Sequence, residues 1–234
     1  MRSGKPNLPP GQYEVTELPR FGLPQFAYRF PKHIETLEIT ISGEVDRSIT
    51  VSNLLFQLPR IEQVSDLHCV TTWTQRSLTW SGFRFSDFYE RIVKPEARPK
   101  PGANFIVLKG QDGARTSLPL EDILSHEVLI ADRLNGKPLS VEHGAPLRLV
   151  APSHYAYKNI KHLHRVEFWL NDKKYKPSGF RFMQHPRARV AMEERAMGAP
   201  GWVFRFLYRP LVQPTASRFR TAMAVYYEQI KSRR

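Results

Sequence analysis

The stretch DLHCVTTWT, residues 66–74, holds Cys69, the only cysteine among 234 residues. A lone thiol is either a small buried hydrophobe or a thiolate, and the thiolate needs a metal or nearby positive charge to form at neutral pH. Its flanks are polar: Asp66 and His68 precede it, and Thr71, Thr72 and Thr74 follow where a simple core strand would continue in Val, Ile or Leu. As a soft donor, the thiolate suits a metal that also prefers sulfur. A second stretch, EHGAPLRLVAPSHYAYKNIK at 142–161, gathers Arg148, Lys158, Asn159 and Lys161 beside Tyr155 and Tyr157, after a tight loop fixed by Gly144 and Pro146. Arg and Lys suit a phosphate, while Asn and backbone groups suit the edge of a flat heteroaromatic ring. The plain alternative is an ordinary basic loop over a sheet.

Other chemistry is thinly represented. There is no glycine-rich phosphate loop and no nucleophile elbow, and SHEVLI only resembles the start of a paired-histidine metal motif. On a strand His162 and His164 would share a face, as metal ligands or, with Lys161 and Arg165 beside them, as a solvated basic edge. YAYKNIKHLHR interleaves cations and aromatics as nucleic-acid binders do, without a recognised nucleic-acid-binding signature around it.

Short elements must position these groups. TLEITISG and IEQVSDLHCV alternate with the period of a strand, the second delivering Cys69 to its end. ANFIVLKG, VLIADRLNG, LRLVA and HLHRVEFWL are further strand candidates, bounded by Gly and Pro turns. TVSNLLFQLP, capped by Thr50 or Ser52, and FSDFYERIV, capped by Ser86, predict short helices. Residues 1–35 are Pro-rich and predict an extended arm on the body. In the tail, RARVAMEERAM and TASRFRTAMAVYYEQI have helical composition and spacing, and the apolar GWVFRFLYRPLV between them is too short to span a bilayer. The pattern predicts a mixed, mainly β α+β domain over 36–172 and a basic helical extension over 173–234.

With 41% hydrophobic residues the chain is far from disordered, and the formal net charge of +13 favours phosphate-bearing partners of any kind. A single cysteine builds neither a disulfide framework nor a Cys-rich metal site, so a reducing, cytoplasmic setting is expected. No apolar leader and no run of about 18 apolar residues is seen.

Taken in order, LHCVTTWT, TWSGFRFSDFYE, SLPLEDIL, EVLIADRLNGKPLSVEHGAPLRLVAP and YAYKNIK resemble the sulfite-oxidase-like molybdopterin oxidoreductases, most closely their short bacterial forms, over about residues 9–170. The group includes the catalytic subunit of bacterial protein-methionine-sulfoxide reductase. The resemblance implies a sulfite-oxidase-type fold around molybdenum and molybdopterin, with Cys69 as the metal ligand. It places pterin contacts at His143, Arg148, Asn159, Ile160 and Lys161, His68 against the cofactor, and Tyr155 near the metal. It further implies two-electron oxygen-atom transfer on a small sulfur- or nitrogen-oxo substrate. Separately, a nearby cation such as Arg76 is a candidate for stabilising an anionic or oxyanionic substrate. Since no haem motif is present, a separate electron-transfer partner is expected. His143 stands where the reductases have Asn; GARTSLPLED lacks the Gly-Tyr of the short forms; Arg20 and Phe21 stand where an aromatic pair is expected. These departures leave the substrate open. The alternatives are a nucleic-acid-binding module and a catalytically inactive cofactor-binding or interaction protein. The tail is a partner dock, a dimer interface, a membrane-surface patch, or an appendage packed on its own domain.

Overall fold

In the computed structural model the described residues are 8–232; the first seven residues of the arm, and Arg233 and Arg234 of the KSRR end, lie outside them. The strands run in chain order as β1 (Tyr13–Glu14), β2 (Ile39–Gly43), β3 (Ile49–Val51), β4 (Arg60–His68), β5 (Trp73–Arg84) and β6 (Phe105–Gly110). They continue as β7 (Arg115–Pro119), β8 (Leu129–Leu134), β9 (Lys137–Pro138), β10 (Arg148–Val150) and β11 (Leu163–Trp169).

Two mixed sheets result. One has the spatial order β3-β2-β11-β6-β7, with β2 and β11 parallel and the other pairs antiparallel. The other is built on the long β5, which pairs with β4 and β8 antiparallel and with β1 parallel; β8 in turn pairs with β10 and β9. Alternation decides what each strand buries. In β8, Ile130 enters the main core with Ile39 and Ile41 of β2, Ile106 and Leu108 of β6 and Phe168 of β11. Its neighbours Leu129 and Ala131 enter a second core with Leu67, Leu78 and Trp80, covered by Leu18 of the arm.

The helices are few: α1 (Phe85–Phe88) running into a π-helix at Tyr89–Ala97, α2 (Leu120–Ile123), α3 (Gly201–Tyr208) and α4 (Val212–Lys231). Phe88, Ile92 and Val93 share a buried face, but Ser86 makes no cap and the turns continue through Pro95. TVSNLLFQLP gives only a 3-10 turn at Asn53–Gln57, because Thr50 is held in β3 opposite Thr40. The expected helix in RARVAMEERAM does not form. Ala188 and Glu193 take left-handed backbone, His154 bridges to Arg189, and Arg195 turns inward to bond distant carbonyls. The apolar GWVFRFLY forms α3, and α4 begins at Val212, ahead of TASRFRTAMAVYYEQI, with Val212, Thr215, Ala216, Phe219, Ala222 and Met223 as its buried stripe.

Candidate functional site

The turn Cys69–Thr72 joins β4 to β5, closed by bonds from the Cys69 amide to the Trp73 carbonyl (2.8 Å) and from the Thr72 amide to the Cys69 carbonyl (3.1 Å). Thr72 sits at φ 88°, a region L residues rarely adopt, so the turn stores strain that its surroundings must hold. Along this edge Leu67 and Cys69 face a cavity of about 250 Å³. Alternation sends His68 the other way, where its Nδ1 meets Thr74 Oγ1 at 2.8 Å. Burial pushes the Cys69 thiol up from its usual range, opposed by the Thr71 hydroxyl 3.1 Å from Sγ and by the cations Arg195 and Lys161.

Both ends of the chain clasp this turn. From the arm, Gln12 donates to the Cys69 carbonyl (3.1 Å) and accepts from the Thr74 hydroxyl (3.1 Å), which leaves Thr74 to accept from His68 Nδ1. From the tail, Arg195, wholly buried, donates to the carbonyls of Val70 (2.6 Å) and Pro10 (2.9 Å). Its guanidinium lies 5.0 Å from the Tyr155 ring centroid, and Glu193 pairs with both it and Arg205. The cavity is walled by Leu18 and Phe21 of the arm and by Trp73, and roofed by Met183, Tyr208 and Leu211 of the tail.

The polar wall comes from His143, Arg148 and Lys161. Gly144 makes it possible: at φ 110° it takes a backbone that glycine accepts freely, and a Cβ would press at 3.2 Å on Arg148 and Lys161. Arg148 is buried, bonded to the carbonyls of His143 (2.9 Å) and Asn159 (3.3 Å) and set 4.8 Å over the Trp80 ring. Burial lowers its pKa to about 10, so it stays cationic. Burial, with Arg148 and Arg20 beside it, lowers Lys161 to about 7, and burial with Lys161 and Arg148 lowers His143 to about 4, leaving that imidazole neutral. Neither Arg148 nor Lys161 has a carboxylate partner within ion-pair distance among the described residues. A smaller cavity of about 120 Å³ shares Lys161, Tyr157 and Phe21 with the first and is lined by Asn159, Ile160, His162 and Arg20.

The expected residues therefore divide. Cys69, His143, Arg148 and Lys161 share one cavity, and Asn159 and Ile160 adjoin it through Lys161. His68 lines neither cavity. Tyr155 also stays off both walls; it is wholly buried across Arg195, its hydroxyl without a well-formed hydrogen bond. The Asn159 side chain is engaged inside the protein, accepting from the Ala151 amide (2.7 Å) and donating toward the carbonyls of Ala151, His154 and Tyr155. Lys158 turns inward to the carbonyls of Ser117 (2.6 Å) and Pro186 (2.7 Å), and burial lowers its pKa to about 7. His162 is likewise buried, its Nδ1 2.6 Å from the Ala145 carbonyl. Lys158, Asn159 and His162 of YAYKNIKHLHR thus serve the interior, while Arg165 stays partly exposed beside Glu167, and no metal-binding cluster of His, Cys, Asp or Glu occurs among the described residues. Arg76 faces Asp66 and Glu14 at 3.7 and 3.9 Å and does not reach the cavity wall. Gln12, Arg195 and the roof residues carry no sequence signal of their role.

Three buried polar atoms of cavity-wall residues lack partners: Trp73 Nε1, His143 Nδ1 and the Tyr208 hydroxyl. Buried polar groups are nearly always satisfied, so these fit a polar ligand. With the buried Arg148, the half-buried Lys161 and one thiol on the same walls, the donor set suits a pterin carrying a phosphate and a thiophilic metal.

Residues 27–176 match the family model described as oxidoreductase molybdopterin binding domain. The uncharacterized oxidoreductase YuiH of Bacillus subtilis is 33% identical over 162 residues, covering 69% of this chain and 78% of that protein. The protein-methionine-sulfoxide reductase catalytic subunit MsrP of Campylobacter jejuni is 28% identical over 194 residues, covering 69% of this chain but only 62% of that relative. Among solved structures, the sulfane dehydrogenase SoxCD of Paracoccus pantotrophus superposes with a TM-score of 0.52 at 22% identity, over 65% of this chain and 43% of that one. This last likeness concerns the fold.

Proposed function

The chain belongs to the oxidoreductase molybdopterin-binding family, as a molybdenum-dependent enzyme of the sulfite-oxidase-like type, and on that premise we propose that Cys69 supplies the metal's protein thiolate for oxygen-atom transfer on a small, uncharged sulfur- or nitrogen-oxo substrate. When bound, the molybdenum cofactor supplies the two-electron redox change. The chain supplies the rest. Arg148 and Lys161 would hold the phosphate-bearing end and His143 would meet a ring edge, while Asn159 and Ile160 shape the adjoining wall. Gln12 and Arg195 hold the turn that aims Sγ. Leu18, Phe21, Met183 and Leu211 exclude water from the mouth and favour an apolar substrate.

The observation carrying this reading is that the only thiol opens onto the cavity that also receives the buried Arg148 and the half-buried Lys161, neither with a carboxylate partner among the described residues. The relatives named for methionine-sulfoxide reduction favour a sulfoxide. Electrons pass to or from a separate partner, and the single thiol fits a reducing, cytoplasmic setting. No described helix is long and apolar enough to cross a membrane.

The test is elemental and pterin analysis of protein from a host that makes the cofactor. Wild type is expected to carry about one molybdenum and one pterin per chain, and Cys69→Ser to lose activity while keeping pterin. Metal-free wild type, or full activity in Cys69→Ser, refutes the assignment.

A further inference from the structure

The tail beyond the family domain carries a charge and an exposed apolar face that the site does not use. Residues 173–234 hold 14 Lys and Arg against 3 Asp and Glu, a net +11 of the chain's +13. Of those acids, Glu193 is already paired with Arg195 and Arg205, and Glu194 with Arg189. On α3, Phe204 and Tyr208 are buried one turn apart against Ala196 and Met183. The opposite side presents Trp202 and Phe206, 56% and 67% exposed, and Leu207 extends it at 59%. Arg209, which follows α3 directly, and Arg218 and Arg220 of α4 are exposed and without carboxylate partners among the described residues.

We propose that this face of α3, in a tail with exposed arginines and a strong positive charge, docks the protein on an anionic lipid surface. Trp, Phe and Leu on one side of a helix in a basic segment is the composition of an element lying in the plane of a bilayer interface. The apolar stretch is too short to insert across, and Pro210 interrupts it. The charge selects the occupant: a second copy would bring the same +11 tail, and the lipid headgroup supplies the missing anions. An acidic electron carrier meets the charge but not the apolar side chains, since redox encounters bury small interfaces.

The experiment is co-sedimentation of the full-length holoenzyme with vesicles of equimolar phosphatidylglycerol and phosphatidylcholine, read with tryptophan emission. Trp202 is the tryptophan whose ring stands most exposed, so binding is expected to shift the emission to the blue. Partitioning is expected to fall by at least about tenfold in pure phosphatidylcholine, in Trp202→Ser/Phe206→Ser, and in Arg209→Glu/Arg218→Glu, with melting temperature unchanged. No binding to anionic vesicles overturns the proposal, as does equal binding by both double variants. A wild-type dimer that the apolar double variant dissociates overturns it in favour of a second copy. Binding of an acidic redox protein without any vesicle affinity overturns it in favour of a protein partner.

Discussion

Replacing Arg195 by Met tests whether the tail holds the thiol turn. The aliphatic stem is retained, so little volume is lost. Two charge-assisted bonds disappear, to Val70 at 2.6 Å and Pro10 at 2.9 Å, together with the ion pair to Glu193. Each charged bond contributes about 1.5–3 kcal/mol, and the relief of no longer burying a guanidinium offsets part of the sum. The expected loss is about 3–5 kcal/mol of unfolding free energy, read by urea titration followed by tryptophan fluorescence. A second readout separates positioning from bulk stability. In cofactor-free protein the Cys69 thiol is buried, and its reaction with a disulfide reagent in native buffer requires the turn to open. Freed from Arg195, the strained Thr72 turn is expected to open more often and raise that rate at least about tenfold, equivalent to about 1.4 kcal/mol of local stability. A stability loss under about 1 kcal/mol, or a large loss with unchanged thiol kinetics, refutes the clasp.

The pH dependence of stability follows from Lys158, whose folded pKa of about 7 lies below the unfolded value. Between those values the unfolded chain binds the extra proton, so stability rises with pH by up to about 1.4 kcal/mol per unit, and below about pH 7 this contribution flattens. Lys158→Met is expected to reduce the rise in urea midpoint between neutral pH and about pH 9; an unchanged rise contradicts the buried-amine assignment. Asn159→Asp keeps the shape but turns an oxygen on the carbonyls of Ala151, His154 and Tyr155, an expected cost of about 2–4 kcal/mol in the same titration. Gly144→Ala presses on Arg148 and Lys161, so its bound pterin is expected to fall well below wild type while the protein stays folded; full pterin content removes the cradle role.

Much of the sheet scaffold was legible because β2 and β4 alternate, while β6, β8, β10 and β11 are short apolar runs bounded by Gly, Pro or polar turns. β5 was not read: WTQRSLTWSGFR mixes polar and aromatic residues, and its burial comes from neighbours on both faces rather than from its own pattern. The Cys69 and Arg148/Lys161 walls were visible in residue type, since thiol and cations declare their chemistry. Tyr155, Lys158 and Asn159 were legible as chemical types but not in direction, because the loop around them has no period from which to infer facing. The RARVAMEERAM helix was overridden by tertiary bonds at Arg195 that no local propensity encodes. The roof was invisible for the same reason: Met183, Tyr208 and Leu211 are ordinary apolar residues until the chain brings them over position 69.

The clasp on Cys69 also orders events in time. Gln12 precedes the Cys69 turn in the chain, and Arg195 and Leu211 follow it by more than 120 residues, so part of the pocket is synthesised well after its floor. Joining segments 57, 125 and 185 residues apart makes closure a late, non-local step of folding. The expected consequence is that a bulky pterin enters most readily before the tail settles, when no finished protein has to be pried apart.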